Sequence, residues 1–148
     1  MAKHKVKVIK AVYERSPEYV TAYKKDRFTS SRDAFEWFKE LRYETKEVFA
    51  AIHLDSKNKI VCADIVSVGS LNASIVHPRE VFKTALLSNA AAVLFVHNHP
   101  SGDPEPSSED IALTRRLKDA GELLGIRVLD HVIVGENRYL SFADKGLI

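Results

Sequence analysis

Cysteine is almost absent from this 148-residue chain. Cys62 stands alone, so neither an internal disulfide framework nor a zinc site built from several thiolates can form. Long apolar runs are missing as well. The longest, Ala90 to Val96, has seven residues, against the about 20 that a membrane-spanning helix needs, so no membrane partner is expected. The opening Met1-Ala2-Lys3-His4-Lys5-Val6-Lys7-Val8 alternates charge with valine and lacks the apolar segment of a secretory signal. The expected compartment is therefore the cytoplasm. No His-Glu-x-x-His, P-loop or Gly-x-Gly-x-x-Gly pattern occurs, and a zinc deaminase is excluded because its Pro-Cys-x-x-Cys half is missing.

What remains is a globular composition, 45% apolar and 28% charged, in a length that suits one domain. A chain of this size buries about 68–70% of its extended surface, enough for a core without staples. The net charge of +2 is unevenly placed: residues 1–46 hold 12 Lys/Arg against 7 Asp/Glu, the rest 10 against 13. A basic first third fits solvated strand and helix faces, or contact with an acidic partner such as DNA. No Lys/Arg block is long enough to form a basic arm.

Periodicity gives alternating elements. Lys5 to Val12 reads as a half-exposed strand and Arg15 to Phe28 as an irregular lead-in. Thr29-Ser30-Ser31 offers cap hydroxyls for a helix to about Tyr43, with Ala34, Phe35, Phe38 and Leu41 on one face. Trp37, Phe35 and Phe38 lie at helical spacing, which points to packing and not to a base-stacking platform. Val48–Leu54 and Ile60–Val68 form a strand pair around a turn at Asp55–Lys59, and Gly69 to Val76 looks irregular. Pro78 opens a helix with Val81, Phe82, Ala85 and Leu86 inward. Ala90–Val96 is a strand buried on both faces. Ser107 caps a helix ending at Gly125, with Ile111, Leu113, Leu117, Ala120 and Leu124 inward. Val128–Val134 and Tyr139–Ser141 complete the strands around a Gly135–Asn137 turn. Strands and helices alternating around one sheet make a three-layer α/β domain.

The chemistry concentrates where the buried strand ends. His97 and His99 are two apart, so both imidazoles share a face and can serve one point. Two imidazoles suit Zn²⁺, whose catalytic sites take three protein ligands and a water. A single cysteine makes the third ligand an oxygen. Asp110 is the nearest well-placed carboxylate, with Asp103, Glu105 and Glu109 as rivals. The intervening segment holds Pro100, Pro104 and Pro106, which stiffen the link between strand and helix. The same Ser107-x-x-Asp110 spacing also fits a capping box, and Ser107 can cap and still donate its proton elsewhere. His53 and His131 sit in strand patterns and read as structural histidines; His77 reads as local structure before the helix-starting Pro78. Asp130 is a candidate outer partner of a metal-binding histidine, and Cys62 a small buried apolar residue.

His97-x-His99 followed by Ser107-x-x-Asp110 resembles the JAMM motif of the JAB1/MPN+ metalloprotease superfamily, and most closely the bacterial RadC family, historically labelled DNA repair proteins. The resemblance runs through Val68-Gly69-Ser70-Leu71-Asn72-Ala73-Ser74, His77-Pro78-Arg79-Glu80-Val81-Phe82-Lys83 and His97-Asn98-His99-Pro100-Ser101-Gly102-Asp103-Pro104. It continues in Leu124-Gly125-Ile126 and Leu129-Asp130-His131 and covers about residues 30–148. It implies a single MPN/JAB-like (cytidine-deaminase-like) α-β-α domain with a mixed central sheet over residues 30–148, while residues 1–29 are read from their pattern as a strand and irregular lead-in. Longer members carry a helix-hairpin-helix DNA-binding region, for which this length leaves no room.

By the same resemblance His97, His99 and Asp110 would hold Zn²⁺ with a water. Glu47, opening the apolar strand, would be the general base, with Glu44 its only near competitor, and Ser107 would hydrogen-bond the oxyanion. Many eukaryotic members have Ser or Thr between the histidines where this chain has Asn98, which weakens any transfer of ubiquitin-type substrates. The expected activity is zinc-dependent hydrolysis of a peptide or isopeptide bond in a protein or peptide substrate. The alternative is a DNA-associated accessory or repair role without peptidase activity. The oligomeric state stays open, a homodimer included.

Overall fold

All eight residues of β1 (Glu47–Leu54) are buried, so this strand runs through the middle of a structure covered on both faces. Its alternation assigns the layers. Val48, Ala50, Ile52 and Leu54 pack with Ala34, Trp37, Phe38 and Leu41 from α1 (Ser31–Phe38) and the 3₁₀ turn Lys39–Tyr43. Phe49 and Ala51 face the other way, against Val81, Phe82 and Ala85 of α2 (Pro78–Leu87) and Leu117 of α3 (Ser108–Leu124). The computed structural model describes residues 6–14, 25–69 and 76–148. Residues 15–24 of the lead-in and 70–75 of the expected irregular segment lie outside them.

The five strands, with β2 (Ile60–Gly69), β3 (Ala92–Asn98), β4 (Arg127–Val134) and β5 (Tyr139–Ser141), lie in the order β2-β1-β3-β4-β5. β3 and β4 are parallel and the remaining pairs antiparallel. The three-layer α/β domain with a mixed sheet expected from the sequence is thus the observed fold. Seven successive buried residues in β3 match its place at the sheet centre.

Three expectations need correction. Residues 6–14 form no strand, and Val6, Val8 and Val12 are about four-fifths exposed. Alternation alone does not make a strand without a neighbour to complete its ladder, and these residues pair with none of the described strands. The helix from Ser31 tightens to a 3₁₀ turn after Phe38 and does not run as one α-helix to Tyr43. Leu86 and Leu124 are 57% and 43% exposed, because both sit at the margin of their apolar stripes.

The helix ends follow local chemistry. Asp33 accepts hydrogen bonds from the Thr29 and Ser30 amides at 2.8 and 3.1 Å and so satisfies donors that open α1. Pro78 stands in the first turn of α2. α3 stops where Gly125 turns left-handed at φ +73°, and the Ile126 amide then bonds back to the Gly121 carbonyl at 2.9 Å.

That turn clamps α3 against β4, and a Cβ on Gly121 would lie 2.5 Å from the Ile126 carbonyl oxygen. In an exposed helix Gly→Ala gains about 1 kcal/mol. Here a backbone atom must move, and overpacking of this kind costs about 1–3 kcal/mol. Gly121→Ala is therefore expected to lower the melting temperature; an unchanged or higher one would contradict the close approach.

Candidate metal centre

The register of β1 on β3 builds one wall of the site. Phe49 pairs with His97, and extending that antiparallel register places Glu47 opposite His99, just beyond the strand end. Partners across an antiparallel pair share a face, so Glu47 and both histidines point toward α3. The other wall is the first turn of α3. Asp110 and Ser107 cap reciprocally: the Ser107 amide donates to Asp110 Oδ2 at 2.9 Å, and the Asp110 amide to Ser107 Oγ at 3.0 Å. The capping box is realised, and it leaves the ligand reading open to the same residues, because capping orients the Asp110 carboxylate toward the histidines.

His97 Nε2 lies 3.0 Å from His99 Nε2, 3.2 Å from Glu47 Oε1 and 3.4 Å from Asp110 Oδ1. His99 Nε2 is 3.1 Å from Asp110 Oδ2. Among the described residues, Glu47, His97, His99 and Asp110 are the group that could hold a metal ion, with ligand atoms all within 4.8 Å of one another. Tetrahedral coordination with bonds of about 2.0–2.1 Å separates ligand atoms by about 3.3 Å, so the nearest spacings fit. Two imidazole nitrogens with carboxylate oxygens also suit a divalent ion of borderline softness.

Proton accounting gives an independent test of fit. His99 Nδ1 is 2.8 Å from the Asp103 carbonyl oxygen, which can only accept, so the His99 proton sits on Nδ1. Its Nε2 faces His97 Nε2 at 3.0 Å and an Asp110 oxygen at 3.1 Å. Nitrogens and oxygens this close must share a proton, or a metal ion in its place.

The electrostatics agree. Burial alone would push the His97 imidazole down, but hydrogen bonds to Asp110 and Glu47 outweigh it and raise it above the ordinary 6.5. Asp110 is held well below the usual carboxylate range: burial opposes this, and the bonds from His97, His99 and the Ser107 amide prevail. A proton on His97 supplies the positive charge when no metal does.

The rival carboxylates lie elsewhere. Asp103 is exposed, with its carboxylate 3.4 Å from Arg138 and only its carbonyl turned to His99. Glu105 and Glu109 are exposed, and Glu44 stands outside the cluster. Buried His53 bonds to Asp64 at 2.8 Å, and His77 occupies the cap position of α2. Cys62 is half-buried, with its thiol pushed up by burial. Asp130 differs from the expectation: it accepts from Ser141 Oγ and the His131 and Ala143 amides, so it fixes backbone and not a ligand ring.

Two roles escape a reading of the sequence. Asn98, pointing to the opposite face from the histidines, accepts from the Val48 amide at 2.7 Å and donates to the Lys46 carbonyl at 3.0 Å, clamping the backbone on both sides of Glu47. His131 lies under the site, with Nε2 2.7 Å from His97 Nδ1. Their shared signal is a polar side chain inside an apolar strand, which must find partners when buried.

Metal and proton compete for His97 Nε2, and metal binding releases the proton. Because the imidazole is raised, apparent zinc affinity should climb about tenfold per pH unit upward from pH 6, until His97 has lost its proton. Competition against a chromophoric chelator reads this directly; affinity independent of pH between 6 and 8 would contradict it.

Known proteins are similar to this chain over most of its length. The family model described as RadC-like JAB domain matches residues 28–147. A UPF0758 protein of Pelobacter propionicus is 60% identical over 124 residues, which are 83% of this chain and 54% of that protein. A UPF0758 protein of Methanosarcina mazei is 48% identical over 151 aligned residues, covering 100% of this chain and 66% of the relative. The chain thus spans between about half and two thirds of the length of these relatives. With a family model spanning residues 28–147, a span that contains the positions of the site's four residues, the chain belongs to the RadC-like JAB domain family.

Proposed function

We propose that this domain is a zinc-dependent hydrolase of the JAMM type that cleaves a peptide or isopeptide bond. The observation that carries the reading is the Glu47 carboxylate 3.2 Å from His97 Nε2, in a group with His99 and Asp110 that could hold a metal ion. His97, His99 and Asp110 would hold the ion. When bound, Zn²⁺ supplies Lewis acidity and brings the pKa of its water to about 7.

The chain's own groups do the rest. Glu47 accepts the water's proton on its carboxylate and passes it to the departing amine, so the C–N bond breaks as acid and amine form. Its position is fixed from behind by the Asn98 clamp. Ser107, at the start of α3, would donate its hydroxyl proton to the developing oxyanion, where the helix N-terminus also favours negative charge. No covalent enzyme intermediate is required. A DNA-associated role without hydrolysis has behind it only the 12 Lys/Arg against 7 Asp/Glu of residues 1–46.

A metal-replete screen against peptide, isopeptide and phosphodiester substrates tests the reading, with two variants assigning roles. Glu47→Gln keeps size and hydrogen bonding but cannot take the proton, so zinc should stay while turnover falls about 10²–10⁴-fold. Asp110→Asn should weaken zinc binding itself. Loss of zinc from Glu47→Gln as readily as from Asp110→Asn would make Glu47 a ligand, and cleavage of phosphodiesters alone would overturn the bond class.

A further inference from the structure

Behind the metal-facing side of the site runs a buried chain of hydrogen bonds that joins two of its ligands. Thr114 Oγ1 is 2.7 Å from the Asp110 backbone oxygen and 2.6 Å from His131 Nδ1. His131 Nε2 is in turn 2.7 Å from His97 Nδ1. His97, Thr114 and His131 are all buried to 1% exposure or less, so protein atoms must satisfy these groups.

Donor accounting leaves one assignment of protons. A carbonyl oxygen cannot donate, so the single Thr114 hydroxyl proton points at Asp110. Thr114 can then only accept from His131, which places a proton on His131 Nδ1. His131 is fully buried, and its ring nitrogens hydrogen-bond only to Thr114 and His97 with no carboxylate to balance a charge, so it is neutral and its Nε2 is a bare acceptor. His97 must therefore carry a proton on Nδ1. Its Nε2 is the atom left to face Glu47, His99 and Asp110.

We infer that Thr114 and His131 are positioning residues that fix the tautomer of His97, so that Nε2 faces the metal. The inference rests on the metal-binding part of the proposed function. His99 obtains the same tautomer from the Asp103 carbonyl; buried His97 obtains it from a threonine, through a second histidine. Fixing the tautomer and ring orientation of a ligand in this way typically affects metal affinity by about 10–100-fold. The arrangement also links β3, β4 and α3, so the ligands from strand and helix are set relative to each other by the same three bonds.

Thr114→Val removes the acceptor while keeping the shape. His131 Nδ1–H is then left unpaired, and moving its proton to Nε2 would set two protons face to face unless His97 moves its own proton to Nε2, where it blocks the metal. Thr114→Ser restores the hydroxyl. The experiment is a long-range ¹H–¹⁵N correlation spectrum of histidine-labelled protein, recorded at alkaline pH before and after Zn²⁺ addition, with zinc affinity by chelator competition and melting temperature for both variants.

In the wild type we expect His131 protonated at Nδ1 and His97 at Nδ1, with zinc perturbing His97 Nε2. Thr114→Val should bind zinc about 10–100-fold more weakly, and Thr114→Ser close to the wild-type value. A wild-type His131 protonated at Nε2 overturns the inference, as does a folded Thr114→Val variant with undiminished zinc affinity. If the tautomers are as expected but zinc leaves His97 Nε2 unperturbed, the metal-facing role is overturned together with the metal reading. The spectrum thereby separates that failure from a failure of the hydrogen-bond chain.

Discussion

Two imidazole nitrogens 3.0 Å apart, with carboxylate oxygens of Glu47 and Asp110 at 3.1–3.4 Å, form a cluster that a proton on His97, or a metal ion in its place, holds together. Without either, the lone pairs would repel and the buried carboxylates would lack compensation. Much of the fold's local detail serves this cluster. The β1–β3 register brings Glu47 beside the histidines, and the cap of α3 turns Asp110 inward. Gly121 and Gly125 let the far end of α3 close onto β4. A slip of β1 by one residue would send Glu47 to the opposite face.

Each residue of the site is supported from outside the cluster. Asp110 is fixed by the Ser107 amide and faces both histidines; Glu47 stands on backbone pinned by Asn98; His97 is backed by His131. The cap at Ser107 illustrates how one local device can meet two needs. It satisfies an otherwise unpaired amide at the helix start, and the same bond leaves an Asp110 oxygen directed at the ligand cluster. The positive end of α3 adds an environment that favours negative charge beside the cluster.

The parts of this picture that the sequence makes legible are the local ones. His97-x-His99 and Ser107-x-x-Asp110 are short spacings on a strand and a helix start, where geometry follows from periodicity. The buried run through Val96 and the apolar stripe around Leu117 assign the central strand and the covering helix for the same reason. Glu47 lies 50 residues before His97, and only the family pattern links the two. Asn98 and His131 act through partners on other strands, so nothing adjacent in sequence announces them. The valine–lysine alternation of residues 6–12 satisfies a strand pattern, yet a strand also requires an unpaired neighbour in register, which is a property of the assembled sheet.

The central claim is that four side chains from β1, β3 with the residue after its end, and α3 converge on one metal ion. Anomalous diffraction at the zinc edge from crystals of metal-replete protein tests it most directly. The account predicts a single peak bonded to His97 Nε2, His99 Nε2 and an Asp110 oxygen at about 2.0–2.2 Å. A peak bonded elsewhere, or histidine rings turned apart around an empty centre in zinc-saturated crystals, would contradict it.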